Sequence, residues 1–142
     1  MNPTFDTYFD AIGLTKTFRE RIKVINFFYE QLCPEVLQDV FVTDYVAEEE
    51  GRRFENVWFF SEHFIMEAKK FASQDDYDIV YAKPLERMAI TKNDYDFVKA
   101  TENSRMTVDW STPRLKASLR ASSENCDFLK ALTVKYFLPL VA

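Results

Sequence analysis

Residues 104–122 read SRMTVDWSTPRLKASLRAS. Met106, Val108 and Trp110 alternate with Arg105, Thr107 and Asp109, and Leu115, Ala117, Leu119 and Ala121 alternate with Lys116, Ser118 and Arg120. A period of two sends alternate side chains to opposite sides of an extended chain, so each run is predicted to be a strand with one buried and one wet face. Pro113 has no backbone N–H to give to a central ladder, which places a connection between the runs and makes them a hairpin.

Working outward, ASSENCDFLKALTVKYFLPL (121–140) changes to a helical period, with Phe128, Leu129, Leu132 and Tyr136 on one face. Ser122 or Ser123 is the expected cap, and Pro139 sets the end near Phe137. Toward the N-terminus, VWFFS (57–61), HFIMEAKKF (63–71), DIVYA (78–82) and LERMAI (85–90) are further strand candidates. Before them Val40, Val42, Asp44 and Val46 share one potential strand face, opposite Phe41, Thr43 and Tyr45. The segment VAEEEGRRFENV (46–57), where the charge balance shifts, reads as an exposed hairpin or turn at which an acidic block meets Arg52 and Arg53, the alternative being a boundary between two parts of one compact unit.

The front of the chain is helical. Asn2 can cap a short helix with Pro3 in its first position and Gly13 at its end. LTKTFRERIKVINFFYEQLCP (14–34) carries Phe18, Ile22, Ile25, Tyr29 and Leu32 on one stripe, with Arg19, Lys23, Asn26 and Glu30 largely opposite. Thr17 and Glu20 fit a capping box, Thr15 being the alternative start. The expected class is therefore α+β: an antiparallel barrel or two-sheet domain with N-terminal helices and a closing C-terminal helix. With 142 residues the prior is a single compact domain over 1–142, made of a helical N-terminal extension (1–38) and a strand-rich body with its helix (39–138).

Composition removes several functions. Two glycines, Gly13 and Gly51, cannot build a phosphate-binding glycine loop or a dinucleotide fingerprint. Residues 1–50 hold four Lys/Arg and ten Asp/Glu, and residues 51–142 hold fourteen and thirteen, so the net charge of −5 is an acidic front joined to a nearly neutral body. That balance lacks the broad positive field of a nucleic-acid binder. The start has neither the basic cluster nor the apolar run of a secretory signal, no transmembrane segment is evident, and Cys33 and Cys126 form no CxxC pair; a cytoplasmic location with free thiols is expected.

The order of antiparallel strands, the terminal hairpin and the helix NCDFLKALTVKYF resembles the pleckstrin-homology-like fold over roughly residues 40–138, with extra helices in front. The resemblance implies a barrel and the binding of phosphoinositides, peptides or protein surfaces, often without catalysis. The basic first hairpin used by inositide-binding members is replaced here by FSEHF, with Glu62 and His63, so phosphoinositide recognition is not expected.

No catalytic set emerges. His63 is the sole histidine, Glu62 beside it would point to the other side of a regular strand, and neither cysteine is patterned with it. The acidic runs at 48–50 and 75–76 lack calcium-loop spacing and read as exposed turns. Asp94, Asp96 and Asp109 show no paired arrangement. No enzyme activity, cofactor or metal is expected. The expected function is a non-enzymatic protein- or peptide-interaction module, with self-association open; the alternative is a small-molecule-binding protein with an aromatic-lined pocket. Candidate interaction residues are Tyr45, Phe60 and Trp110 for apolar contact and Arg52, Arg53, Lys69 and Lys70 for charge.

Overall fold

The computed structural model describes residues 2–68, 78–81, 86–113 and 115–140. In chain order the elements are α1 (Thr4–Ala11), α2 (Lys16–Leu32), β1 (Asp39–Ala47), β2 (Gly51–Phe60), β3 (Phe64–Ala68), β4 (Asp78–Tyr81), β5 (Arg87–Asn93), β6 (Arg105–Thr112), β7 (Leu115–Ser122) and α3 (Asn125–Leu132). A π-helical turn (Thr133–Phe137) and a 3-10 turn (Leu138–Leu140) continue α3. β1 to β4 form one sheet in sequential order and β5 to β7 a second, giving an α+β chain with antiparallel sheets. Among the described residues the strands make two separate sheets and no closed barrel, so the two-sheet alternative is the one found.

Two compact units divide the chain: residues 1–42 with 55–82, and residues 43–54 with 83–142. This division does not coincide with the expected one at 38/39, because β1 and β2 each run from one unit into the other.

In the first unit Asn2 Oδ1 accepts from Thr4 N (3.0 Å) as α1 begins, although Pro3 is the cap residue itself. Gly13 ends the helix region with φ +68, a left-handed conformation that glycine adopts without steric cost. Thr15, not Thr17, caps α2, its hydroxyl accepting from Phe18 N (3.4 Å). Ile22, Ile25 and Tyr29 are buried as expected, but so is Asn26, whereas Leu32 is exposed. Asn26 lies four residues after Ile22 and three before Tyr29, which puts it on their face, and its Nδ2 donates to Glu30 Oε1 (2.7 Å).

The helices cover β2 through Phe59, whose ring centroid lies 6.3 Å from that of Phe5 and 5.4 Å from that of Tyr29. The Tyr29 hydroxyl donates to Glu67 O in β3. β1 is the edge of its sheet, and Tyr8 occupies that edge at Val42, accepting from Val42 N (2.8 Å) and contacting Val42 O (3.4 Å). A capped edge leaves fewer backbone groups to template pairing with another strand.

In the second unit the alternation is realised over 105–110 and 118–121, with Ala117 half-buried. Met106, Val108, Trp110, Leu119 and Ala121 are buried, while Asp109, Lys116, Ser118 and Arg120 face solvent. Thr112 pairs with Leu115, closing the hairpin over Pro113. Cys126, Leu129, Leu132, Tyr136 and Phe137 form the buried side of α3 and its extension, with the Phe137 ring 5.3 Å from that of Trp110. Neither expected serine caps α3. Glu124 is the cap residue, without a side-chain cap bond, and Ser122 points elsewhere, as described below.

Candidate functional site

The outer side of α2 carries an apolar stripe that the sequence reading missed. At 100° per residue Val24, Phe27, Phe28 and Leu32 span an arc of about 140° whose centre lies about 120° from that of the Ile22/Ile25/Tyr29 face, with Phe27 opposite that face and Leu32 at its border. All four are exposed, Phe27 and Leu32 each by 56%, and Val36 beyond the helix by 80%. Phe27 and Phe28 meet edge to face at 5.7 Å. The signal was present in the sequence as a second set of apolar positions out of phase with the buried stripe.

The turn between β2 and β3 holds a second cluster. Ser61 Oγ accepts from Phe64 N (3.1 Å) and donates to Glu35 Oε1 (2.9 Å), and His63 N donates to the same oxygen (2.8 Å). The other carboxylate oxygen, Oε2, is 2.5 Å from His63 Nδ1, and Glu62 Oε1 is 3.9 Å from His63 Nε2. Residues 61–63 form the turn itself and are not part of a regular strand, so Glu62 and His63 share a side instead of pointing apart. The hydrogen bond to Glu35 holds the His63 imidazole above its ordinary pKa against slight desolvation. The same bond, with those from His63 N and Ser61, holds the Glu35 carboxyl below its own.

A third cluster lies inside the second unit. Asp44 is fully buried and accepts from Arg52 Nε (2.7 Å), Ser122 N (3.0 Å), Asn125 Nδ2 (2.7 Å) and the Ser122 hydroxyl. Arg52 also pairs with Glu124 and donates to Ser122 O (3.3 Å). Burial works against the Arg52 charge, but the bonds to Glu124 and Asp44 outweigh it and raise its pKa. A buried carboxylate with this many donors is a structural brace.

The remaining expected residues are spread out. Phe60 is fully buried and Trp110 is 3% exposed, so both are core. Tyr45 is half-buried under the Arg120 guanidinium, 4.7 Å from its ring centre. Arg53 pairs with Glu50 across the exposed turn. Lys69 and Lys70 lie outside the described residues. On the wet face of β5 to β7 an open recess of about 500 Å³ is bordered by Arg87, Asp109, Ser111, Lys116 and Ser118. Its rim is polar, and Trp110 is the aromatic among its lining residues.

Cys33 and Cys126 are free and buried. Burial, then the nearby Asp44 charge, pushes the Cys126 thiol up to about 12. Because the thiolate is the reactive form, Cys126 is expected to resist iodoacetamide in mildly alkaline buffer and to react once urea unfolds the chain. Mass spectrometry of the two samples checks this; native labelling at Cys126 would contradict the burial. No helix among the described residues is long and apolar enough to cross a membrane. Comparison with protein-family models, curated proteins and solved structures gives no match.

Proposed function

We propose that the chain is a non-enzymatic protein-interaction module that pairs with a second copy of itself through the outer face of α2. The observation that carries this reading is the exposed Val24, Phe27, Phe28 and Leu32 stripe beside the buried face of the same helix. Contiguous exposed apolar surface marks interaction sites more often than isolated apolar residues do. Charge selects the occupant. Residues 16–23 hold Lys16, Arg19, Arg21 and Lys23 against Glu20, whereas residues 24–32 hold Glu30 and no base. Two α2 helices packed antiparallel about a two-fold axis set the basic half of each, where Arg19 already pairs with Asp10, toward the half of the other copy that carries Glu30 and no base, and also oppose the helix dipoles.

The kinship with pleckstrin-homology-like folds belongs to the same reading, supported by the order of strands, the β6–β7 hairpin and the closing α3. A cytoplasmic location is supported by two buried thiols without a disulfide. The non-enzymatic part is supported by the engagement of Asp44 in a brace and by the open, polar character of the β5 to β7 recess, which differs from the aromatic-lined pocket of the alternative.

Analytical ultracentrifugation over a wide concentration range tests the pairing. The mass is expected to rise from one chain to two, and Phe27→Glu to hold it at one without loss of helical signal. An aromatic anchor lost from both sides of a symmetric interface costs about 4 kcal/mol, roughly a thousandfold in Kd. A wild-type mass of one chain at every concentration overturns self-pairing.

A further inference from the structure

Glu35, Glu62 and His63 each present one ligand atom, and the three atoms lie within 4.8 Å of one another. Glu35 is aimed before any cation arrives: Ser61 Oγ and His63 N occupy its Oε1, which leaves Oε2 on the side of the imidazole. Glu62 and His63 have side chains 73% and 48% exposed, so both can adjust at little packing cost.

We propose that these three side chains form a binding site for a divalent transition-metal cation, with Zn2+ the best fit. Two carboxylates and a neutral imidazole supply a charge of −2 that a divalent ion balances. The imidazole nitrogen argues against calcium and magnesium, which take oxygen ligands, and suits zinc and its first-row neighbours. Zinc bonds of about 2.0–2.2 Å place tetrahedral ligands about 3.3 Å apart. The 2.5 Å contact between His63 Nδ1 and Glu35 Oε2 would open by under about 1 Å as the cation replaces the proton they share, and Glu62 would close in. Three protein ligands leave the fourth position for water, and the Ser61 and His63 N bonds to Glu35 serve as the outer contacts that orient a metal ligand.

The single histidine makes the test direct. In the untagged chain, the imidazole C–H proton resonances are followed by NMR while ZnCl2 is added, and Co2+ is used as an absorbing, paramagnetic probe. The expected result is saturation at one equivalent, with the His63 resonances shifted by Zn2+ and broadened by Co2+, and Co2+ displaced by Zn2+. Glu62→Gln should weaken binding at least about tenfold while leaving the fold intact, since Glu62 is exposed, and His63→Gln should abolish the one-equivalent step. His63 resonances unmoved by Zn2+, or equal binding in both variants, would overturn the site and mark a general attraction of cations to acidic surface.

Discussion

Asp44→Ala is expected to destabilise the chain by about 3–5 kcal/mol, seen as a lower urea midpoint with little change in slope. The carboxylate has no exposed surface and serves four donors: Arg52 Nε, Ser122 N, the Ser122 hydroxyl and Asn125 Nδ2. Alanine removes the acceptor of all four and leaves part of a guanidinium charge without its buried partner. Arg52 keeps Glu124 and is 23% exposed, which argues for the lower end of that range. Asp44→Asn should fall between, since an amide still offers one acceptor but also turns a donor toward the donors already there. A loss below about 1 kcal/mol for Asp44→Ala would show that solvent or a rearranged Glu124 replaces the network.

Phe59→Ala should cost a similar amount, about 3–5 kcal/mol, through a different mechanism. Its ring fills the space between Phe5 of α1 and Tyr29 of α2, so truncation opens a cavity under both helices at once. Phe59→Leu should recover more than half of the loss by refilling most of the volume. Urea denaturation followed by circular dichroism measures both variants. The comparison with Phe27→Glu is informative, because the two substitutions act on opposite faces of α2. The inner one should unfold the chain readily, and the outer one should leave stability within about 0.5 kcal/mol while altering mass. A destabilised Phe27→Glu would mean that the outer stripe is part of the core.

The sequence disclosed what had one wet face. Strands β6 and β7 were legible because Asp109, Lys116 and Arg120 are solvated while Val108 and Leu119 are not, and this contrast is what a period of two records. β1 obscures the pattern, since residues 40–44 are all buried and alternation then separates nothing. That double burial also explains why Asp44 looked like an ordinary strand residue. In α2 two apolar stripes share one helix, and the first one found, ending at Leu32, mixed positions from both. The Glu35 to His63 pairing spans 28 residues and depends on a turn, so no local spacing announces it. The capping serines of α3 failed because Ser122 gives its hydroxyl to Asp44 and Ser123 gives its own to Glu102 O.

The β1–β2 hairpin contributes residues 43–54 to the unit completed by residues 83–142, while its flanks belong to the unit built from the first 42 residues. Neither unit is therefore an uninterrupted piece of chain, and no single cleavage can release either one whole. During synthesis the same arrangement imposes an order of events. Asp44 leaves the ribosome 78 residues before Ser122 and 81 before Asn125, and its carboxylate must stay hydrated until both have emerged. Emergence of β7 and the start of α3, more than of any earlier helix or strand, is then the step that lets the second unit close.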